Sequence, residues 1–217
     1  MTGIPQRHVV FEGPIGVGKT SLARKLAATL GAQLVLEQAD ENPFLERFYR
    51  NPRAAALPAQ LYFLFQRTQQ QQSLQQQDLF GSQRVADYLM AKDDLFARLT
   101  LDEEEYRLYR QVHDRLAVDV PVPDLVVYLQ APVDVLLDRI ARRGVARESQ
   151  IDRGYLTRLN ESYARFFLEY DASPLLIVNA ATIDPIGNEA DYAELLAQIG
   201  RVTRGRQYYN PLRHSRI

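Results

Sequence analysis

A glycine-rich loop near the start of the chain carries the clearest chemical signal. Residues 13–20 read G-P-I-G-V-G-K-T, between an apolar run and a helical pattern, which is the context that a phosphate-binding loop requires. Its glycines let successive backbone N–H groups point at phosphate oxygens, Lys19 can bridge the β- and γ-phosphates, and the Thr20 hydroxyl can bind Mg²⁺. The residues predicted to bind a nucleoside triphosphate are Gly13, Ile15, Gly16, Val17, Gly18, Lys19, Thr20 and Ser21.

Two acidic residues stand at the ends of predicted strands. Glu37 lies at the end of the second strand, and Asp87 directly follows a short strand at 84–86. Ligands of open α/β sheets bind beyond the carboxyl ends of the strands, where a carboxylate can accept a proton from a hydroxyl group or bind a metal ion. Position alone favours the simpler explanation that Glu37 is an exposed acid at a strand end.

Two pairs of side chains have the spacing of one helix face. Gln60 and Arg67 are two turns apart, and an amide with a guanidinium offers the donors and acceptors that suit the edge of a base. Arg139 and Arg143 are four residues apart and can project together to clamp a phosphoryl group. The alternative for the second pair is two solvated arginines on an exposed helix.

The elements that must position these residues alternate between strand and helix, which predicts a parallel sheet covered by helices. The predicted strands are 8–12, 33–38, 84–86, 124–130 and 175–179. The predicted helices are 19–30, 42–50, 58–78, 102–116, 132–142, 153–170 and 189–199. The glutamine-rich second half of the helix at 58–78 is interpreted as a solvated or subunit-facing surface, and the basic tail from residue 201 is expected to be poorly ordered.

Composition restricts the class of protein. The 217 residues carry a net charge of −1 and no cysteine, which argues against a general nucleic-acid coat and excludes a disulfide framework or a cysteine nucleophile. There is no uninterrupted apolar run of about 18 residues, so we expect no membrane-spanning helix. A single cytoplasmic α/β domain over residues 1–217 is the resulting expectation.

Several segments resemble the deoxynucleoside kinase family, and most closely its bacterial deoxyadenosine/deoxyguanosine kinase branch. They occur in the family's order over residues 7–199 and are EGPIGVGKT at 12–20, Glu37 with ENPFLERFY at 41–49, QLYFLFQR at 60–67, ADYLMAKDDLFA at 86–97, PDLVVYLQ at 123–130 and RIARRG at 139–144. The resemblance implies a P-loop kinase fold with five parallel strands and an arginine-containing lid at about 142–152. It also implies ATP and Mg²⁺ as cofactors, a deoxynucleoside substrate used in nucleotide salvage, and a homodimer.

The resemblance also assigns roles to individual residues. Glu37 matches the general base that acts on the 5′-hydroxyl, whereas Lys19, Arg139 and Arg143 match the cations around the transferred phosphoryl group. Asp87 matches an acid that holds Mg²⁺ opposite the loop threonine. The residues that match the deoxynucleoside-binding set are Leu45, Tyr49, Gln60, Arg67, Asp93, Phe96 and Glu148.

Within that set the family pattern has Tyr49 and Glu148 hold the sugar 3′-hydroxyl, where a 2′-hydroxyl would crowd them. Arg67 and Asp93 read the base, and Phe96 packs on it. A packing aromatic and a solvated lid acid remain alternatives for Tyr49 and Glu148, and sequence alone does not separate Asp93 from its neighbour at position 94.

The chain departs from the family pattern near the phosphates. Tyr88 and Leu89 stand where the wider family has arginine and serine, and Val145 stands where many relatives have another lid arginine. Either Lys19, Arg139 and Arg143 suffice without these charges, or turnover is slow, or the acceptor differs. Two alternative functions also stay open. One is a nucleoside monophosphate kinase, which would need extra arginines such as those at 47, 50 and 53. The other is a nucleotide-binding regulatory protein without turnover.

Overall fold

One parallel β-sheet forms the centre of the molecule. The computed structural model describes residues 4–77, 82–116 and 120–211. The strands are β1 (His8–Glu12), β2 (Gln33–Val35), β3 (Arg84–Ala86), β4 (Leu125–Gln130), β5 (Leu175–Asn179) and β6 (Arg206–Tyr209). They lie in the order β2-β3-β1-β4-β5-β6, and every neighbouring pair is parallel. This arrangement confirms the predicted α/β fold.

Helices connect the strands. They are α1 (Lys19–Leu30), α2 (Leu45–Arg50), α3 (Pro52–Gln77), α4 (Lys92–Thr100), α5 (Glu103–Leu116), α6 (Val133–Arg143), α7 (Arg153–Glu169) and α8 (Glu189–Arg201). There are also two short 3₁₀ segments, Ala39–Glu41 after β2 and Ala146–Gln150 after α6, and both contribute residues to the wall of one cavity. The second 3₁₀ segment lies within the predicted lid.

The sheet has six strands, so the prediction of five was wrong. The additional strand β6 lies in the tail that was expected to be poorly ordered, and residues 212–217 of that tail are outside the described residues. Its sequence is polar and mostly exposed, because an edge strand is held by backbone pairing rather than by burial. Backbone pairing joins β6 to β5 in parallel, from the pair Leu175 and Arg206 to the pair Val178 and Tyr209.

The helix predicted at 58–78 begins earlier, at Pro52, and Asp78 lies outside the described residues. Asn51 ends α2 as expected, but the fixed φ of Pro52 suits the first position of a new helix. Pro58 is therefore inside α3. The strand β2 is shorter than predicted and ends at Val35, while the helix α4 was not predicted at all.

The hydrophobic core lies on both faces of the central strands. Five successive residues of β4, Leu125 to Leu129, are each at most 3% exposed, which is typical of a strand covered on both sides. The aromatic rings of Tyr128, Tyr163 and Phe167 stack on one another beside this strand. No helix in the described ranges is both long enough and apolar enough to cross a membrane.

Candidate active site

The loop between β1 and α1 is built for an anion. Gly13, Gly16 and Gly18 have φ values of 145°, 82° and 107°, a region that residues with a side chain rarely adopt. A Cβ on Gly13 would lie 2.4 Å from the Leu129 carbonyl oxygen. The capping position of α1 is Gly18, which has no side chain to cap the helix, so the first N–H groups of α1 are left for a ligand.

Lys19 closes this loop from the inside. Its Nζ donates to the backbone oxygens of Gly13 and Pro14, at 2.7 and 3.2 Å. Burial lowers the pKa of the Lys19 ammonium, and the nearby Glu12 carboxylate opposes that effect. A bound phosphate would therefore stabilise the charged form of Lys19 and offer it stronger acceptors than two carbonyl groups.

A cavity of about 200 Å³ opens from the loop and extends between α2, α3, α4 and the lid. It brings together residues that are far apart in the sequence. The predicted site residues that line it are Gly13, Ile15, Gly16, Gly18, Lys19, Thr20, Ser21, Glu37, Leu45, Tyr49, Gln60, Arg67, Asp87, Phe96, Arg143 and Glu148. Of the predicted set, Val17, Asp93 and Arg139 do not line it.

Glu37 lies at the centre of the cavity wall and is not a solvated acid. Its Oε1 accepts a hydrogen bond from Nε of Arg67 at 3.0 Å, and Lys92 Nζ lies 3.1 Å from Oε1 and 3.2 Å from Oε2. Burial acts to raise the pKa of Glu37, but the charges of Lys92 and Arg67 outweigh it and hold the pKa well below its ordinary value. Glu37 is therefore a carboxylate at any working pH.

Arg67 joins this carboxylate to a second one. Its NH1 pairs with Asp93, whose side chain is almost completely buried behind it. The neighbouring Asp94 points to the surface instead, where it pairs with Arg98 and accepts a hydrogen bond from the Tyr106 hydroxyl at 2.6 Å. The structure thus places Asp93, and not Asp94, against Arg67.

The opposite end of the cavity is closed by the lid. Glu148 is 6% exposed and pairs with Arg143, so these two predicted residues are direct partners. Burial, with smaller contributions from Tyr155 and Glu148, raises the pKa of Tyr49 well above its ordinary value, so its phenol stays protonated. An ion pair between Arg147 and Asp40 ties the lid to the first 3₁₀ segment.

Asp87 connects the acceptor side to the loop. Its Oδ2 accepts a hydrogen bond from the Thr20 hydroxyl at 2.5 Å, and its Oδ1 accepts one from the Glu37 backbone N–H at 2.7 Å. The second bond holds the Glu37 backbone two residues after the end of β2 at Val35. Burial raises the pKa of Asp87 although both hydrogen bonds oppose it, and a divalent cation would favour its ionised form.

Arg139 and Arg143 do not project together as their spacing indicated. Arg139 donates to the carbonyl oxygens of Val17 and Ala180, at 3.1 and 2.7 Å, on the far side of the loop. Arg139 and Arg143 therefore have different partners in this structure: Arg143 pairs with Glu148 of the lid segment, whereas Arg139 anchors α6 to the loop. The side chain of Val17 is buried, so the prediction that this residue binds the nucleotide rests on its backbone.

The glutamine-rich part of α3 matches its interpretation as a solvated or subunit-facing surface only in part: Gln69 and Gln72 are exposed, whereas the two glutamines between them make internal hydrogen bonds. Gln70 donates to the Leu36 carbonyl oxygen at 3.1 Å and its Oε1 accepts from the Tyr88 hydroxyl at 2.6 Å. Gln71 is buried and donates to the same Tyr88 hydroxyl at 3.1 Å. Tyr88, which replaces the expected arginine, thus holds α3 against β3 rather than facing the phosphates.

Sequence reasoning missed two buried charges, Lys92 and Glu12. Both lie inside the segments that carry the family resemblance, at 86–97 and 12–20, but neither was given a role. A lysine that directly follows the apolar residues 89–91 was a usable signal, because a buried ammonium requires a carboxylate partner. Which carboxylate it meets depends on the strand order and could not be predicted locally.

Comparison with known proteins agrees with this geometry. The family model described as "Deoxynucleoside kinase" matches residues 9–204. The chain is 31% identical over 196 residues to a deoxyguanosine kinase of Bacillus subtilis, covering 88% of this chain and 95% of that protein. It is 30% identical over 212 residues to a deoxyadenosine kinase of Lactobacillus acidophilus, covering 90% and 96%.

The fold has solved counterparts. A structure of deoxyadenosine kinase from M. mycoides with bound dATP superposes with a TM-score of 0.75 at 23% identity, covering 88% of this chain and 98% of that one. A second structure of that enzyme, with dCMP and dCDP, gives a TM-score of 0.76 at 23% identity. The extent of the family match, together with the placement of the loop and the cavity residues, shows that this chain belongs to the deoxynucleoside kinase family.

Proposed function

We propose that this protein transfers the γ-phosphate of ATP to the 5′-hydroxyl of a deoxynucleoside, with purine deoxynucleosides favoured. The observation that carries the proposal is that Glu37 and the loop lysine Lys19 line one cavity. The names of the relatives, deoxyguanosine and deoxyadenosine kinase, support the preference for purines.

At the start of the reaction, Glu37 only needs to accept a hydrogen bond from the acceptor hydroxyl. The 5′-hydroxyl donates to its carboxylate, the new O5′–P bond forms, and the bond from the γ-phosphorus to the β,γ-bridging oxygen breaks to release ADP. The hydroxyl proton passes to Glu37 as the new bond develops. Because the transition state of phosphoryl transfer is loose, positioning and charge matter more than base strength, and a carboxylate with a low pKa is suited to orient the hydroxyl.

The residues present fit a Mg²⁺ ion that arrives with the nucleotide. Mg²⁺ is typically held by one or two carboxylates together with substrate phosphates, and the structure brings Thr20 and Asp87 together beside the loop. In the described part of the chain no group of three or more His, Cys, Asp or Glu side chains could hold a metal alone. When bound, the ion would neutralise charge on the phosphates.

The sugar and the base would occupy different parts of the cavity. Tyr49, with its protonated phenol, and Glu148 both line the cavity and would bind a 3′-hydroxyl as donor and acceptor. Gln60 is buried beside the cavity, with its Nε2 3.3 Å from the Thr100 hydroxyl, and its amide can bond a base edge together with Arg67. Phe96 would pack on the base.

The base of the donor nucleotide would lie on the other side of the loop. A second cavity shares Gly18 and Ser21 with the first. Its far wall contains Arg139 and residues 183–186. A planar guanidinium can stack on a base, so Arg139 acquires a role in ATP binding in place of the predicted phosphoryl clamp.

The arginines predicted for a nucleoside monophosphate acceptor do not support that alternative. That substrate would need cations near Tyr49, but Arg47, Arg50 and Arg53 are all exposed and none of them lines the cavity. Arg50 instead pairs with Glu46 on the surface of α2.

An acceptor panel tests the proposal. The protein is incubated with ATP, Mg²⁺ and one acceptor at a time, and the products are separated by chromatography. The acceptors are the four deoxynucleosides, adenosine, guanosine, dAMP and dGMP. We expect deoxyadenosine and deoxyguanosine to give monophosphates with the highest kcat/KM, and Lys19→Met to abolish turnover. Phosphorylation of dAMP and dGMP alone would contradict the proposal, and no turnover with any acceptor would favour a nucleotide-binding protein without catalysis.

We also infer a homodimer that acts in the cytoplasm, where ATP is available. The outer face of α3 supports an interface, because Phe65 is 47% exposed there beside Tyr62 and Gln69. Light scattering should give twice the 24.9 kDa mass of one chain, and Phe65→Glu should reduce it to the mass of one chain. A wild-type mass of one chain would reject the dimer, and cell fractionation tests the location.

A further inference from the structure

The ammonium group of Lys92 is buried between two carboxylates. Lys92 is the first residue of α4 and is 2% exposed. Its Nζ lies 3.1 Å from Oε1 of Glu37 and 3.7 Å from Oε2 of Glu12. A buried ammonium is costly unless it is paired, so this arrangement requires at least one of the two carboxylates to remain charged.

Glu12 is the fixed partner of the two. Its Oε1 accepts hydrogen bonds from the Gly13 backbone N–H at 2.8 Å and from the Tyr163 hydroxyl at 2.9 Å. Its Oε2 accepts one from the Leu89 backbone N–H at 2.7 Å. These bonds tie Glu12 to the phosphate loop, to α7 and to the turn before α4. Lys92 is thereby held on one side by an anchored group, and its other side reaches the cavity wall.

Lysine is rare in this chain, in which most basic residues are arginine. Its 26 basic residues include only three lysines, Lys19, Lys25 and Lys92, and two of these line the cavity. The rings of Tyr88 and Phe96 confine the ammonium at 5.9 and 5.7 Å from their centroids. A guanidinium is larger and directs its donors in a fixed plane, whereas an ammonium is a compact point charge that can contact both carboxylates.

Arg67 also holds Glu37, through Nε and NH2, but its contact differs from that of Lys92. Arg67 also pairs with Asp93 and, in the proposed function, contacts the base, so its donors are shared among several acceptors. Lys92 contacts only carboxylates and ring faces among the groups described around it. Its hold on Glu37 is therefore independent of the base that is bound.

We infer that Lys92 is the positioning residue for Glu37: it fixes that carboxylate against the Glu12 anchor and keeps it directed at the acceptor hydroxyl. The inference rests on the proposed role of Glu37 as proton acceptor. When Glu37 takes the hydroxyl proton it becomes neutral, and the unchanged charge of Lys92 then faces the newly formed phosphate ester. The same cation is thus favourable both before and after the transfer.

The absence of cysteine from the chain allows a chemical test. Lys92→Cys introduces a single thiol, which is alkylated in urea with 2-bromoethylamine or with iodoacetamide before refolding. The first adduct restores an ammonium at nearly the original distance, and the second is neutral and of similar size. We expect the neutral adduct to lower kcat for deoxyadenosine about 10- to 100-fold with KM changed less than about threefold, and the ammonium adduct to recover most of kcat. Equal kcat for the two adducts would overturn the inference.

A control variant and a set of stability measurements complete the test. Arg98→Met removes an exposed ion-paired cation from the same helix and should leave kcat unchanged. The unfolding free energies of Lys92→Met, Glu37→Gln and the double variant test the contact without any activity assay: the double variant should lose less stability than the sum of the single losses. Additive losses would reject the contact even if the proposed function held, whereas coupling in a protein that phosphorylates no deoxynucleoside would reject the proposed function alone.

Discussion

Replacement of Glu37 by glutamine tests the charge arrangement of the cavity most directly. The substitution keeps the size of the side chain but removes the negative charge that Arg67 and Lys92 share. Those two side chains are only 5% and 3% exposed, so neither regains solvation. Removal of one partner from a buried ion pair costs about 3–5 kcal/mol. Because Asp93 and Glu12 remain beside the two cations, we expect the lower end, about 3 kcal/mol.

This loss has a thermal and a kinetic consequence. In chains of this length 1 kcal/mol corresponds to about 2–4 °C, so Tm should fall by about 6–12 °C. Turnover should fall about 100-fold or more, because an amide cannot accept the hydroxyl proton. The KM for the deoxynucleoside should change little, since the amide oxygen still accepts a hydrogen bond from the hydroxyl group.

The assay compares wild type, Glu37→Gln and Glu46→Gln by calorimetry and steady-state kinetics at one saturating ATP concentration. Glu46 is the matched control, because it is an exposed acid that pairs with Arg50 on α2, and exposed pairs contribute little to stability. Glu46→Gln should resemble wild type in both measurements. Normal turnover of folded Glu37→Gln would exclude Glu37 as the proton acceptor, and an unchanged Tm would refute the shared buried charge.

Three further predictions concern the sugar, the loop and pH. Tyr49→Phe should lower the ratio of kcat/KM for deoxyadenosine over adenosine several-fold; an unchanged ratio would remove its role at the sugar. Gly13→Ala should lose about 3 kcal/mol or more of unfolding free energy in urea, since its Cβ would meet the Leu129 carbonyl oxygen at 2.4 Å. Gly31→Ala, where φ is 64° and the space is open, should lose only about 1–2 kcal/mol. Equal losses would contradict the loop geometry. Burial, aided by Arg84, lowers the pKa of His8 below 6.5. As pH falls, the unfolded chain therefore binds a proton before the folded chain does, and the free energy of unfolding should decrease below about pH 6.5. His8→Gln should flatten this dependence of the unfolding free energy on pH, and an unaltered dependence would assign it to other groups.

Local patterns in the sequence predicted the framework well. The strands at 8–12, 84–86 and 175–179 and the helix at 19–30 have the bounds that the structure shows, because apolar runs, a glycine loop and a glycine C-cap are properties of adjacent residues. The edge strand β6 was missed since backbone pairing with β5 holds it without an apolar pattern. The start of α3 was placed too late because Pro58 was taken as its first residue.

Side-chain contacts were less predictable because they depend on strand order. Glu37 and Lys92 lie 55 residues apart, and only the adjacency of β2, β3 and β1 brings both to one edge of the sheet. The helical spacing of Arg139 and Arg143 correctly placed them on neighbouring turns, but spacing does not determine which acceptors each guanidinium meets. In this structure backbone carbonyls hold the first and Glu148 holds the second.

Asp87 links the phosphate loop to the acceptor side of the cavity. One carboxylate binds the Thr20 hydroxyl on the donor side and the backbone of Glu37 on the acceptor side. In the proposed function, a ligand that draws Asp87 towards a metal ion at the loop would therefore act on the residue proposed to receive the acceptor hydroxyl. By thermodynamic reciprocity, an acceptor that fixes Glu37 would change the affinity for the metal–nucleotide complex by the same factor. We therefore expect heterotropic coupling between the two substrates, which is measured by determining each affinity with and without the other substrate.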